Sequence, residues 1–136
     1  MRRIPLLVLS ALLGSCAMGP PQPAVRSASN QQMLDSLLVG RVAGPAASCL
    51  PTYNANDMSV IDARTVAFRN GGTVYVMTLS EGCDMIGRAG YAMVTKQYGS
   101  SGMCGGDIVR VADTLNNFTV GSCTISSIVP YSRARS

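Results

Sequence analysis

Histidine and tryptophan are absent from this 136-residue chain, and charged residues make up only 13% of it. Without histidine, the chain cannot form a Ser-His-Asp triad, a Cys-His pair or a histidine metal site. Lys96 is the single lysine, and the arginines are scattered along the chain. The sequence therefore predicts no nucleic-acid surface, which would need clustered basic residues.

The other residues that could support chemistry do not form a convincing motif. A Ser-Lys dyad would need Lys96 beside a serine such as Ser100 or Ser101, but Lys96 fits better on the solvated face of a strand. Glu81 and Asp84 could act as a carboxylate pair, yet they flank a turn cysteine, and surface solvation explains them better. We predict no catalytic residue and a non-enzymatic protein.

No cofactor or metal site is predicted either. The chain has no Cys-x-x-Cys motif, which structural zinc sites commonly use. Its methionines lack the clustered spacing of copper sites, so we interpret them as core residues. The methionines concerned are Met58, Met77, Met85, Met93 and Met103.

The chain begins with a short targeting pattern. Arg2 and Arg3 precede an apolar stretch at residues 4–13, which is too short to cross a bilayer because a spanning helix needs about 20 residues. The motif Leu13-Gly14-Ser15-Cys16 follows, and it resembles the lipobox of bacterial lipoproteins. The resemblance implies a signal peptide at residues 1–15 and a lipidated Cys16 at the new N-terminus.

Lipidation at Cys16 would decide where the protein resides. Two or three acyl chains on one cysteine anchor a protein stably to a membrane. Ala17 stands where the family places an aspartate for inner-membrane retention, so we expect an outer-membrane protein that faces the periplasm. Residues 16–32 are rich in Pro, Ser and Ala and are predicted to form a tether, which leaves residues 33–136 as one domain. Loss of Arg2 and Arg3 lowers the net charge from +4 to +2.

With Cys16 set aside, four cysteines remain in the body: Cys49, Cys83, Cys104 and Cys123. An even number in an oxidising compartment predicts two disulfides, for which three pairings exist. We predict the sequential pairing, Cys49 with Cys83 and Cys104 with Cys123, because it is the simplest for a meander of hairpins.

The body is predicted to be mainly β, as a small antiparallel barrel or sandwich of six to seven short strands. Asn30 is expected to cap one short N-terminal helix at residues 31–39. Asn70-Gly71-Gly72 separates two β-branched and aromatic stretches and predicts a hairpin with Asn and Gly in the turn. Strands are predicted at residues 58–62, 65–69, 73–79, 91–96, 107–111, 118–120 and 123–129.

Short motifs follow one another in a fixed order around the four cysteines. They are Cys49-Leu50-Pro51, Val60-Ile61-Asp62, Thr65-Val66-Ala67-Phe68, Val74-Tyr75, Leu79 with Cys83, Cys104 before Asp107-Ile108-Val109-Arg110-Val111, and Cys123. Between residues 49 and 130 this series resembles a family of small uncharacterised proteobacterial lipoproteins, a domain of unknown function with four ordered cysteines. The resemblance implies a β-rich, lipid-anchored protein and supplies no activity.

These observations favour an envelope lipoprotein that acts as a non-enzymatic binding or accessory module. Its expected partners are the membrane, through Cys16, and an envelope protein that the sequence does not identify. The alternative hypothesis is an inhibitor of a secreted hydrolase such as lysozyme. Small β-barrel lipoproteins that inhibit lysozyme have a similar size, lipobox and disulfides, and Ser100-Ser101-Gly102 is the local similarity in this chain.

Overall fold

The computed structural model describes residues 26–51, 55–96 and 102–134. The predicted fold class, mainly β with one short helix near the N-terminus, is confirmed. Residues 1–25, which include Cys16 and most of the predicted tether, lie outside the described part of the chain. The elements are α1 (Ala28–Leu38), β1 (Arg41–Ala43), a short 3-10 helix (Ala55–Asp57), β2 (Met58–Asp62), β3 (Thr65–Asn70), β4 (Thr73–Leu79), β5 (Tyr91–Thr95), β6 (Ile108–Asp113) and β7 (Phe118–Arg133).

The seven strands form one antiparallel sheet that is curled into a half-barrel. The strand order is β2-β3-β4-β7-β6-β5, and β1 pairs separately with the end of β7. The long β7 pairs with β6 through its N-terminal half and with β4 through its C-terminal half. Register shifts interrupt the β2–β3, β4–β7 and β6–β7 pairings, and such bulges bend and twist strands.

The predicted hairpin is formed by β3 and β4, but its turn lies one residue later than expected. Asn70 pairs with Thr73, so the two linking residues are Gly71 and Gly72. Gly71 has the positive φ of 56°, which Asn70 was expected to share. A residue without a side chain adopts this backbone conformation at no steric cost.

The end of the chain forms one strand where the sequence predicted two. β7 continues through Pro130, which was expected to end the last strand, to Arg133. The carbonyl oxygen of Pro130 accepts a hydrogen bond of 2.7 Å from the amide of Gly44, which lies just beyond β1. In an antiparallel strand, the N–H and C=O groups of one residue point to the same edge. On this edge β1 ends at Ala43, opposite Tyr131, so the missing N–H of Pro130 removes no hydrogen bond to a strand residue. β1 itself was not predicted.

Apolar residues pack on both faces of the sheet. The main cluster fills the inner face, and a smaller one lies between α1 and the outer face of β2, β3 and β4. The predicted methionine packing is confirmed, since Met77 and Met103 are fully buried in the main cluster and the other three pack against it. The outer cluster consists of Leu34, Ile61, Ala67 and Val74, with Leu37, Leu38 and Val76 around it.

The helix begins earlier than the sequence predicted. Ser27, not Asn30, is its N-cap, and the Ser27 Oγ accepts a hydrogen bond of 3.2 Å from the Asn30 amide. Serine is favoured at this position because its hydroxyl satisfies an otherwise unpaired amide of the first turn. Residues 28–32 thus belong to α1, although they fall within the predicted tether.

The two disulfides are present, but the predicted sequential pairing is wrong. Cys49 is joined to Cys104, and Cys83 is joined to Cys123. The sequence separations are 55 and 40 residues, so each bond links distant parts of the chain. Sequential pairing assumed that hairpin neighbours lie side by side, whereas the curled sheet places β7 between β4 and β6.

Backbone contacts position each disulfide. Cys49 and Cys104 form an isolated antiparallel bridge, supported by a 2.7 Å hydrogen bond from the Leu50 amide to the Met103 carbonyl. On the other side of the core, Gly82 precedes Cys83 with φ of 110°. A Cβ at Gly82 would collide with the carbonyl oxygen of residue 122 in β7. A glycine is therefore required for this loop to approach β7 closely.

Candidate functional site

Among the concave surfaces of the described residues, the largest we consider is a groove of about 760 Å³ between α1 and the outer face of the sheet, which we call the outer groove. Residues 76 and 131 are outward-facing positions of β4 and β7, and both are only partly buried. Polar groups come from the start of the helix and from the β2–β3 turn. The main lining residues are Arg26, Leu34, Asp62, Arg64, Val76 and Tyr131.

Arg26 lies at the centre of the polar side of this groove. Its Nε donates a hydrogen bond of 2.6 Å to Asp62 Oδ2, and its Nη2 donates one of 2.6 Å to Thr65 Oγ1. The third nitrogen, Nη1, lies 3.2 Å from Gln31 Oε1. These contacts join the residue just before α1 to the β2–β3 turn. They therefore attach the beginning of the described chain to the sheet.

Asp62 remains ionised in this network. Partial burial opposes its charge, but hydrogen bonds from Arg26, the Arg64 amide and the Thr65 hydroxyl outweigh this effect and lower the pKa of Asp62. The Arg64 amide lies 2.8 Å from Asp62 Oδ1. Both carboxylate oxygens thus have partners, which favours a positioning role over proton transfer.

The edge of the outer groove is more exposed. Arg64 Nη1 lies 3.5 Å from Glu81 Oε1, and the Glu81 side chain is 85% exposed. Exposed ion pairs of this kind contribute little to stability because water screens them. Asp84 also lines the outer groove.

A second concavity of about 280 Å³ lies on the outer face of β5 and β6, and we call it the β5–β6 groove. Val94 pairs with Arg110 across the two strands, and Val94 and Ile108 are both exposed. Lys96 and Asp107 also line the β5–β6 groove. The Asp107 carboxylate accepts a 2.8 Å hydrogen bond from the Cys104 amide.

The residues that were considered for chemistry and set aside lie in different places. Lys96 lines the β5–β6 groove, whereas Asp84 lines the outer groove. Ser100 and Ser101 lie outside the described residues. Within residues 26–51, 55–96 and 102–134, no three Cys, Asp, Glu or His side chains come together as a metal site.

The β6–β7 turn is a third notable surface. The Asp113 Oδ1 accepts hydrogen bonds from the amides of Leu115 (2.9 Å) and Asn116 (3.0 Å), and Oδ2 accepts one from the Asn116 side chain (2.9 Å). The bonds from Asn116 lower the pKa of Asp113. The turn presents two apolar side chains to solvent, Leu115 at 82% and Phe118 at 54% exposure.

No family model, curated protein or solved structure matches this chain. The resemblance to four-cysteine lipoproteins therefore stays a prediction. In the part of the chain that is described, no helix is long and apolar enough to cross a bilayer.

Sequence reasoning missed the polar network of the outer groove. Arg26 is the one charged residue in the Pro-, Ser- and Ala-rich segment 17–29, and this isolated charge was a usable signal. Asp62 was predicted at the end of a strand, but its partner is 36 residues away in sequence. Such a pairing depends on where α1 lies against the sheet.

Proposed function

We propose that this protein is a bacterial envelope lipoprotein, anchored through Cys16, whose body is a non-enzymatic binding or accessory module. We further propose that the outer groove is its binding surface. The expected location is the outer membrane, with the body on the periplasmic side.

One observation carries the first part of the proposal. The four cysteines of the body are paired with one another, which leaves Cys16 as the fifth and unmatched cysteine. Structural disulfides form in oxidising compartments, which include the bacterial periplasm. An unmatched cysteine after Leu13-Gly14-Ser15 is the position at which a lipoprotein receives its diacylglycerol.

The geometry of the outer groove supports binding. It combines an apolar wall, formed by Leu34, Val76 and Tyr131, with charged groups at one side. Ligand sites typically have this composition, with a few polar groups that orient the ligand. The charge of Asp62 is already matched by Arg26, so the network is arranged to hold its shape.

The lipid anchor is tested by the mass of the mature protein isolated from a bacterial envelope. We expect the mature N-terminus at Cys16 and a mass increase equal to a diacylglyceryl group, with or without a further acyl chain. The Cys16→Ala variant should lose the modification, whereas the matched control Ser10→Ala should keep it. Cleavage at another residue with an unmodified Cys16 would contradict the proposal.

The binding surface is tested by photo-crosslinking in envelopes. A crosslinking residue at Thr78, in the outer groove, should capture a specific envelope component. The same residue at Thr119, at the far end of β7, is the matched control and should capture none. Capture from neither position under any growth condition would argue against a binding module.

The alternative, an inhibitor of a secreted hydrolase such as lysozyme, is favoured by the β6–β7 turn. Its hydrogen bonds hold Leu115 and Phe118 in an exposed arrangement, as a preorganised recognition loop requires. The purified protein should then slow lysozyme at stoichiometric concentration, and Leu115→Ala should weaken the effect. If lysozyme retains full activity with excess protein, this alternative is rejected.

A further inference from the structure

Two arginines face each other at one end of the sheet. Arg41 of β1 lies directly opposite Arg133 of β7 in the antiparallel register. Two residues earlier in β7, Tyr131 begins a cross-strand row that leads through Val74 to Arg69 of β3. We call Arg41, Arg69 and Arg133 the arginine end. Like charges in directly opposed positions destabilise a sheet, so this pair calls for an explanation.

The folded body offers these arginines little negative charge. The ion pairs of the described residues involve Arg26 and Arg64, and neither belongs to the arginine end. Arg41 donates hydrogen bonds to two carbonyl oxygens, those of Leu37 and Gly72. Asp57 lines the same shallow cavity as Arg69, without an ion pair between them.

An exposed apolar side chain lies close to the charges. Val39, the C-cap of α1, is 76% exposed and lies two residues before Arg41. Val42 is also exposed, at 57%, but its side chain lies on the opposite face of β1 from Arg41, because successive strand residues point to opposite faces. Apolar side chains together with basic ones are typical of surfaces that lie in the membrane interface.

We propose that the arginine end binds the anionic phospholipid headgroups of the membrane that carries the lipid anchor. The proposal rests on the proposed lipidation of Cys16. Nine residues lie between Cys16 and Arg26, and the ten steps from one Cα to the next span at most about 35 Å. α1 adds about 16 Å from its start to the arginine end, so this surface can reach the bilayer while the anchor is inserted.

Phospholipid fits these observations better than a free anion. A soluble phosphate would be bound by the arginines alone and would leave Val39 in water. A bilayer surface accepts both groups, since phosphates lie at the level of the guanidinium groups and Val39 enters the boundary of the acyl chains.

The chain contains no tryptophan, so one introduced tryptophan reports its own environment. We would place it in the lipidated protein by V39W, with L115W on the β6–β7 turn as the matched control for an exposed apolar residue. In vesicles of phosphatidylglycerol and phosphatidylethanolamine, brominated lipid should quench V39W and leave L115W unaffected. Equal quenching of both variants, or of neither, would overturn the proposal.

A second measurement separates this proposal from the lipidation itself. Mature-length protein with Cys16→Ser retains every described residue and has no site for an acyl chain. It should sediment with phosphatidylglycerol vesicles but not with phosphatidylcholine vesicles. Arg69→Gln and Arg133→Gln should each weaken this binding about fivefold, because each arginine near an anionic surface contributes to the attraction. Arg88→Gln, an exposed arginine elsewhere, is the control and should bind normally.

The outcomes distinguish the two ideas. Vesicle binding by the Cys16→Ser protein, together with an unmodified Cys16 in cells, would support the arginine end and reject the lipoprotein proposal. A lipidated protein whose V39W stays unquenched would reject the arginine end alone. Binding that inorganic phosphate abolishes, with V39W unquenched, would identify a free-anion site and overturn the phospholipid proposal, as would selective binding to an acidic protein.

Discussion

The two halves of the half-barrel differ in how the outer face of the sheet is covered. In β2, β3 and β4, α1 covers the outer face, and four consecutive residues of β3, Thr65–Phe68, are buried. In β6 the outer face is open, and buried and more exposed residues alternate from Ile108 to Asp113. A helix that covers one face of a sheet therefore removes the two-residue periodicity of burial that otherwise marks a strand.

Each half also has one carboxylate that organises its polar contacts. Asp62 joins the helix-covered half to the residue before α1, and Asp113 holds the turn at the end of the open half. Burial opposes the charge of each acid and is the largest single effect at Asp62, but hydrogen bonds outweigh it and lower the pKa of both. Both acids therefore favour the folded state only while they are ionised.

The largest difference in the free energy of unfolding is expected between alanine substitutions of the two phenylalanines of the chain. Phe68 is fully buried in the main core, whereas Phe118 is half exposed at the start of β7. Phe68→Ala should lower the free energy of unfolding by about 4 kcal/mol, because it removes a large core side chain and leaves a cavity. Phe118→Ala, the matched control, should change it by less than about 1 kcal/mol. Urea denaturation measures both, and equal losses would contradict the comparison.

The two disulfides should differ in accessibility. Cys83 and Cys123 are buried, whereas Cys49 and Cys104 are partly exposed. A mild reductant should open Cys49–Cys104 first, because thiol exchange requires access to the sulfur. Removal of Cys83–Cys123 by paired alanine substitution should cost about 4 kcal/mol by the chain-entropy model, since the bond closes a loop of 40 residues.

Peptide mapping under non-reducing conditions checks both the pairing and the order of reduction. Peptides that join Cys49 to Cys83 would contradict the structure. Simultaneous reduction of the two bonds would contradict the difference in accessibility.

Loss of the Arg26–Asp62 contact should have an intermediate effect on the free energy of unfolding. Asp62→Asn should lower the free energy of unfolding by about 1–2 kcal/mol, since a charge-assisted hydrogen bond is lost. Because the folded pKa of Asp62 is below its ordinary value of 3.8, its contribution is present above about pH 4 and is lost as the pH falls through the folded pKa. Chemical denaturation across the acid range measures this dependence.

Glu81→Gln is the matched control for this prediction, because it removes the carboxylate of an exposed ion pair. It should change stability by less than about 0.5 kcal/mol. If Asp62→Asn leaves the acid dependence of stability unchanged, then Arg26 does not secure α1 to the sheet.

The smallest effect on stability is expected for a substitution on the open outer face of the sheet. Val94→Thr should change the free energy of unfolding by less than about 0.5 kcal/mol, because Val94 is exposed and a hydroxyl there reaches water. The same substitution at the fully buried Val66 should cost about 2 kcal/mol, since the hydroxyl loses its hydration. Thermal unfolding compares the two variants. A loss at Val94 as large as that at Val66 would indicate that the face is covered.

Much of the β structure could be predicted from the sequence. β2, β3, β4 and β5 were expected at nearly their observed positions, because alternating apolar residues and turn residues are local signals. The continuity of β7 could not be predicted in this way. Gly121 and Pro130 disfavour a strand locally, and the strand persists because neighbours on both edges supply its hydrogen bonds.

The candidate site could be predicted much less well. The charged side of the outer groove depends on a contact between residues 26 and 62, and the arginine end depends on one between residues 41 and 133. No local pattern encodes such contacts. The capping error at Asn30 has a local origin, because Ser27 is itself a favoured cap and its hydroxyl accepts the hydrogen bond from the Asn30 amide.

The β class of the body, its main hairpin and the even number of body cysteines could be read from the sequence. They follow from composition, two-residue alternation and counting, which are local or additive properties. The pairing of Cys49 with Cys104, the attachment of the helix through Arg26 and the opposed arginines of β1 and β7 depend instead on tertiary contacts. The curl of the sheet around β7 brings these distant segments together, and this curl depends on the packing of the whole core.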